Sequence, residues 1–177
     1  SQNAFFRGKT KLAYSQGFHP QPKIQLASAL PLGFSSRAEV VDIWLEDLNL
    51  SLPNLKKKLQ DALPKGITVL DLQEVERRAP ALQTMGDYAE YKVTLLDEIP
   101  VPSLKKKLAA LMEADALPRE KKKKKRGKIR TYDLRPLILA LKIHPTKEDE
   151  PAKLFMRLAA REGTTGRPDA VLAELGI

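Results

Sequence analysis

Hydrophobic and polar residues alternate in several short stretches of the chain, a pattern typical of half-buried strands. Between Ala38 and Glu46, for example, Val41, Ile43 and Leu45 share one face. The same pattern predicts strands through Ile24, Leu26 and Leu30, then at Ile67 to Val75, Ala89 to Glu98, Ile129 to Ile143 and Ala152 to Ala159. Pro136 interrupts the predicted strand at Ile129 to Ile143, and this strand is expected to form a hairpin with the last one.

Three other segments place apolar residues at helical spacing. The first follows Ser51, the second follows Ser103, both of them N-cap residue types, and the third begins near Pro168. The predicted apolar stripes are Leu52, Leu55, Leu59 and Leu63 in the first helix, Leu104, Leu108, Leu111 and Met112 in the second, and Val171, Leu172 and Leu175 in the third.

The order of a strand followed by a helix occurs twice. A-E-V-V-D-I-W-L-E-D precedes one L-K-K-K-L segment, and A-E-Y-K-V-T-L-L-D-E precedes another. Helices combined with hairpin-connected strands indicate an α+β fold made of two ferredoxin-like halves, each with helices on an antiparallel sheet. The expected domains are residues 1–80, a half truncated at its N-terminus, and residues 88–177.

Composition limits the classes of protein that need considering. The 177 residues are 42% hydrophobic, enough for a packed core, and no apolar run approaches the roughly 18 to 20 residues of a membrane span. We therefore expect a cytoplasmic protein that does not enter a membrane. The chain has no cysteine and only two histidines, far apart, so we expect no metal site and no thiol nucleophile.

Positive charge is concentrated in two parts of a chain whose net charge is +9. Residues 1–38 contain five basic residues and no acid, and Arg119 to Arg130 contains nine basic residues and Glu120. Such clusters suggest a polyanion, and nucleic acid is the usual one, although a lysine run can equally be a solvated loop. The candidate phosphate ligands are Lys23, Lys121, Lys122, Lys123, Lys124, Lys125, Arg126, Lys128 and Arg130.

The segment Leu12 to Gly33 displays side chains on a stiffened backbone. Pro20 and Pro22 hold His19 and Gln21 in an extended conformation, because a residue before proline avoids the helical region. Half of the ten aromatic residues lie in or near this segment, interleaved with basic groups. Tyr14 and Phe18 are candidates for stacking on RNA bases, while Tyr14 and Phe34 could also be core residues.

A glycine-rich turn precedes the third predicted helix. Free backbone N–H groups at such a turn can bind an anion, and basic side chains lie beside it. The candidate anion-binding loop is Gly163, Thr164, Thr165, Gly166 and Arg167. A plain turn into a final helix explains the same residues.

Three separated motifs resemble the uncharacterised family of radical SAM-linked proteins: L-A-Y-S-Q-G-F-H-P-Q-P-K-I with A-L-P-L-G, then K-I-R-T-Y-D-L-R-P-L-I, then G-T-T-G-R-P-D-A-V-L-A-E-L-G. In that family the domain follows, or is encoded beside, a radical SAM enzyme. The resemblance implies such an enzyme as partner, with the iron–sulfur cluster and S-adenosylmethionine bound there and no cofactor in this chain. Family members usually begin with a further strand and a complete helix, of which Ala4 to Lys11 would be the end.

The sequence favours a non-catalytic RNA-binding accessory domain that works with the radical SAM enzyme in RNA modification. A second interpretation is a docking domain that binds the enzyme through Trp44 or the Arg135 strand and contacts no nucleic acid. A third is a metal-independent ribonuclease in which His19 is the general acid or base, assisted by Tyr14 and Lys23.

Overall fold

The computed structural model describes residues 11–46, 51–76, 78–122, 129–145, 150–161 and 163–177. The chain divides into two compact units, Ser1–Met85 and Gly86–Ile177. Each unit has its own cluster of buried hydrophobic residues. The two units are therefore described one at a time.

The first unit contains a small antiparallel sheet and one helix. Strand β1 (Ile24–Leu26) pairs with β2 (Val41–Ile43), and Ile24 lies opposite Ile43. Isolated bridges join Leu12 to Leu45 and Tyr14 to Pro22, so the chain before β1 is held against both strands. Helix α1 (Leu52–Ala62) packs on this sheet. The buried residues are Leu12, Leu55 and Leu59, with Ile24, Ile43 and Leu45 packed against them.

The prediction of a strand at Ile67 to Val75 is wrong, because these residues form no helix or strand. Their backbone groups bond to side chains of α1 instead of to a partner strand. The Gln60 amide donates to the Ile67 carbonyl at 3.0 Å and accepts from the Val69 N–H at 2.8 Å, and Lys56 Nζ donates to the Leu70 carbonyl at 2.6 Å. The helix therefore satisfies polar groups that a sheet would otherwise pair.

The second unit contains most of the regular structure. The elements are β3 (Tyr88–Thr94), α2 (Val101–Glu113), β4 (Pro118–Lys122), β5 (Ile129–Asp133), β6 (Ile138–His144), β7 (Lys153–Arg161), β8 (Thr164–Thr165) and α3 (Pro168–Leu175). The central sheet has the order β3-β7-β6 with antiparallel neighbours, β8 extends the end of β7, and β4 pairs with β5 in a separate antiparallel sheet.

Helices α2 and α3 share a core with one face of this sheet. Strand β7 buries Leu154, Met156 and Leu158 completely, and these alternate residues form the centre of the core. The helices contribute Leu104, Leu108, Leu111, Val171 and Leu175. The expected burial of Leu55, Leu59, Leu104 and Leu108 is confirmed.

The predicted α+β class is confirmed, and helices packed on antiparallel sheets are compatible with ferredoxin-like halves. One predicted boundary is wrong: α2 begins at Val101, so Ser103 lies inside the helix and Pro100 occupies the N-cap position. The interruption at Pro136 is confirmed, since a 3₁₀ turn over Arg135–Leu137 separates β5 from β6. Proline lacks the N–H that a continuous ladder would require.

Candidate nucleic-acid interface

The central sheet of the second unit turns its other face outward. Burial alternates along β3, whose residues Tyr88, Glu90, Lys92 and Thr94 are exposed. The register of the ladders identifies the neighbours of these residues on β7 and β6. We call this surface the open face; its residues are Tyr88, Glu90, Lys92 and Thr94 of β3, Lys153, Phe155 and Arg157 of β7, and Ala140, Lys142 and His144 of β6.

An aromatic ring lies between two lysines in the middle of the open face. Phe155 is paired with Lys92 on β3 and with Lys142 on β6. In an antiparallel sheet, directly opposite residues have Cβ atoms only about 4.5 to 5.5 Å apart. The half-buried Phe155 side chain is therefore flanked on both sides by cationic side chains that are exposed.

The neighbouring cation, Arg157, is held by two contacts. Its Nε and Nη2 atoms donate to Glu90 Oε1 at 2.9 and 2.6 Å, and its Cζ lies 4.6 Å from the centre of the Tyr88 ring. The hydrogen bond to Glu90 is the main reason why the pKa of Arg157 is raised. A charged guanidinium is thus fixed over an aromatic ring, an arrangement that favours a cation–π contact.

Positive charge predominates on this face. Lys92, Lys142, Lys153 and Arg157 contribute four cations, and Glu90 is the one carboxylate among the residues that define the open face. Lys153 also contacts Glu150, and its hydrogen bond lowers the pKa of that carboxyl group. Aromatic side chains and guanidinium planes surrounded by cations are what base stacking with phosphate contact requires.

The sequence motifs did not point to the open face. A signal for it exists in the alternation of Y-A-E-Y-K-V-T and K-L-F-M-R-L, where every second residue is aromatic, charged or polar. Both stretches were predicted as strands. Their pairing across 67 residues, shown by Glu90 and Arg157, requires the sheet order that only the fold supplies.

The segment Leu12 to Gly33, which was predicted to display its side chains, contains a closed loop from Ser15 to Gln21 in the first unit. Ser15 N–H donates to the Gln21 carbonyl at 2.8 Å, and Gln21 N–H donates to Ser15 Oγ at 2.9 Å. Phe18 is fully exposed and His19 is also exposed within this loop. Gly17, with φ of 135°, permits the turn.

Two aromatic residues near this loop lie outside the core. Tyr14 is 36% exposed and Phe34 is 39% exposed, so the interpretation of either as a core residue is wrong. Tyr14 bridges to Pro22 at the base of the loop, next to the exposed Lys23. Stacking by Tyr14 or Phe18, and catalysis by His19 with Tyr14 and Lys23, remain predictions.

The predicted basic run is only partly described. Lys121 and Lys122 belong to β4, and Lys121 is in register with Arg130 of β5. Arg119, just before them, forms an ion pair with Glu174 at 2.9 Å. Lys123, Lys124, Lys125, Arg126 and Lys128 lie outside the described residues, and phosphate binding by the run remains a prediction.

The glycine-rich turn uses several of its polar groups within the chain. Thr164 and Thr165 pair with the end of β7, and Gly166 N–H donates to the Ala159 carbonyl at 2.8 Å. Arg167 donates twice to the Asp169 carboxylate, at 3.0 and 2.8 Å. Anion binding by residues 163–167 would compete with these contacts, and it remains a prediction.

The two residues proposed for docking differ in their surroundings. Arg135 donates to the Met112 carbonyl at 3.1 and 2.7 Å and to the Ile138 carbonyl at 3.1 Å. Its guanidinium therefore caps the end of α2 and is engaged inside the second unit. Trp44, in contrast, is 37% exposed.

Among the described residues, no group of three or more His, Cys, Asp or Glu side chains could hold a metal ion. The helices of the described part of the chain include none with the length and hydrophobicity needed to cross a bilayer.

The chain matches a known protein family over a range that includes the loop from Ser15 to Gln21 and the strands of the open face. The family described as an uncharacterized protein conserved in bacteria (DUF2344) matches residues 1–168. No curated protein and no solved structure matches the chain. Since the match spans nearly the whole sequence, the chain belongs to this uncharacterized bacterial family.

Proposed function

We propose that the chain is a non-catalytic RNA-binding accessory domain that works with a radical SAM enzyme in RNA modification. The observation that carries the proposal is the open face, on which Phe155 lies between Lys92 and Lys142 and Arg157 lies over Tyr88. Cations attract the phosphates of RNA, and flat side chains stack on its bases. Both kinds of contact are combined on one sheet.

The charge of the whole chain supports the same function. A net charge of +9 raises the rate at which a polyanion encounters the protein, and the basic run from Lys121 to Arg130 would add phosphate contacts. Tyr14, Phe18 and Lys23 of the first unit offer a second set of stacking and phosphate groups. Such a chain would hold RNA while another protein performs the chemistry.

The partner in this proposal comes from the resemblance of three motifs to radical SAM-linked proteins. The iron–sulfur cluster and S-adenosylmethionine would belong to that partner, since the chain itself has no cysteine to hold a cluster. The accessory domain would then position RNA at the partner's active site. In this proposal the chain binds the RNA substrate, and the radical SAM enzyme performs the radical chemistry.

RNA binding is tested with two double variants of equal charge. Lys92→Gln with Lys142→Gln removes two cations from the open face, and Lys105→Gln with Lys106→Gln removes two exposed cations from α2. The first should reduce the magnitude of the log–log salt slope of single-stranded RNA binding by about 1.4, because each phosphate contact contributes about 0.7. The second should leave the slope nearly unchanged. Equal slopes for both variants would contradict the assignment of the site.

The partnership is tested by co-expressing the chain with the radical SAM enzyme that the resemblance implies as its partner and measuring co-elution by size exclusion. We expect a complex that binds RNA more tightly than the enzyme does alone. A complex lost in Trp44→Ala, with no RNA binding by either protein, would instead establish the docking interpretation.

A further inference from the structure

Resting on the RNA-binding function proposed above, we infer that the open face takes an extended single strand. Neighbouring bases of that strand stack on the Phe155 ring and on the Arg157 guanidinium. The strands β3 and β6 on either side supply cations for the phosphates. The ligand class is therefore unpaired RNA with exposed base faces.

The distance between Phe155 and Arg157 decides whether the bound RNA is extended or helical. Phe155 and Arg157 are two residues apart on β7 and lie on the same face, which places them about 6.6 Å apart along the strand. Adjacent bases that stack on each other in a nucleic-acid strand are separated by about 3.4 Å, about half of this distance. Two neighbouring bases can therefore reach Phe155 and Arg157 only if the RNA is stretched, so that its bases no longer stack on each other.

A duplex does not meet this requirement, because its bases are enclosed in the stack. Side chains reach double-stranded RNA mainly through its phosphates and 2′-hydroxyls, whereas aromatic and guanidinium planes stack on bases that are splayed out. Lysines on a flat sheet would still attract a duplex, but Phe155 would then have no base to contact. Selectivity for single strands should thus depend on the ring and not on the lysines.

The second stacking group is prepared before any ligand arrives. Glu90 accepts two hydrogen bonds from Arg157, and Tyr88 lies beneath the guanidinium at 4.6 Å. An arginine held in this way loses less conformational freedom on binding than a free side chain would. Glu90 also offsets part of the charge of Arg157. The guanidinium of Arg157 therefore serves more as a flat stacking surface than as a phosphate ligand.

Cations lie on both sides of the line formed by the two stacking groups. Lys92 on β3 and Lys142 on β6 are the direct neighbours of Phe155, and Lys153 lies two residues before it on β7. An RNA strand that runs along β7 would place its phosphates toward β3 or toward β6. This arrangement places the two stacking groups on the central strand β7, with a cation on each flanking strand and a third at Lys153.

The experiment measures binding of a dye-labelled oligouridylate of about 12 nucleotides, a length within the range that single-strand sites cover. The same sequence as DNA and an RNA duplex of equal length are measured in parallel. The variants are Phe155→Leu, which keeps an apolar side chain but removes the ring, and Arg157→Lys, which keeps the charge but removes the plane. Leu96→Ala, at an exposed position of the same unit, is the control.

We expect Phe155→Leu and Arg157→Lys each to weaken single-strand binding by about 5- to 100-fold, with an unchanged salt slope and unchanged duplex binding. Leu96→Ala should bind like the parent chain. Equal binding of the DNA would show that the site recognises single strands in general, whereas weaker DNA binding would show that it selects RNA; both support stacking.

Two further outcomes separate this inference from the function on which it rests. If Lys92→Gln with Lys142→Gln reduces RNA binding but Phe155→Leu and Arg157→Lys do not, the stacking inference is overturned and RNA binding stands. If the unmodified protein binds none of the three nucleic acids, both the inference and the proposed function are overturned. Circular dichroism of each variant shows whether the sheet has remained folded.

Discussion

Gly166 illustrates how a single residue of the candidate anion loop is fixed by packing. A Cβ atom at this position would lie 3.0 Å from the Leu137 carbonyl oxygen and 3.0 Å from Leu158 Cβ. Both neighbours belong to the buried part of the second unit, so neither can withdraw easily. The glycine allows the loop to approach the sheet closely, whether or not the loop binds an anion.

At the residue scale we therefore predict that Gly166→Ala destabilises the protein by about 1 to 3 kcal/mol, the usual cost of overpacking. Gly86→Ala is the matched control, because its added Cβ would meet only the Ala160 carbonyl oxygen, at an ordinary 3.7 Å. Urea unfolding followed by circular dichroism measures both. A free energy of unfolding unchanged by Gly166→Ala would mean that the loop can shift outward.

At the scale of elements, the helices were predictable and some strands were not. Leucines at helical spacing specify a buried stripe, and Leu55, Leu59, Leu104 and Leu108 are all buried. Leu52, which was predicted for the same stripe, is 41% exposed because it is the first residue of α1. Alternation specifies only that a segment has two faces, not that a partner strand exists. Residues 67–75 alternate, yet α1 satisfies their backbone groups through Lys56 and Gln60.

Truncation of one leucine in each helix tests these assignments. Leu59→Ala and Leu108→Ala should each cost about 2 to 5 kcal/mol in the free energy of unfolding, because both side chains are buried. Leu108 belongs to the larger cluster, so its loss should leave the better-defined cavity and the larger effect. Leu96→Ala, exposed at 92%, should change stability by less than about 0.5 kcal/mol. A loss that small at Leu59 or Leu108 would refute the packing assignment.

At the scale of the whole molecule, the open face was out of reach because its charges are not contiguous in sequence. A run such as Lys121 to Lys125 is visible in the sequence itself, whereas Lys92 and Lys142 become neighbours of Phe155 only through the order β3-β7-β6. Sequence patterns identified the three strands of the open face, β3, β6 and β7, and their alternating faces. Which faces meet depends on long-range pairing, which local patterns do not encode.

The two sources of positive charge should affect RNA binding in different ways. Changing Lys121 to Lys125 to serine removes five of the chain's 31 basic residues, and it should reduce the magnitude of the salt slope by roughly 3.5 if all five contact phosphates. The preference for single strands over duplexes should remain, because phosphate contacts position a ligand without identifying it. Phe155→Leu should have the opposite effect, reducing that preference while leaving the slope unchanged. Binding isotherms measured at several salt concentrations give both quantities for each variant, and a serine variant with an unaltered slope would show that the run makes no phosphate contacts.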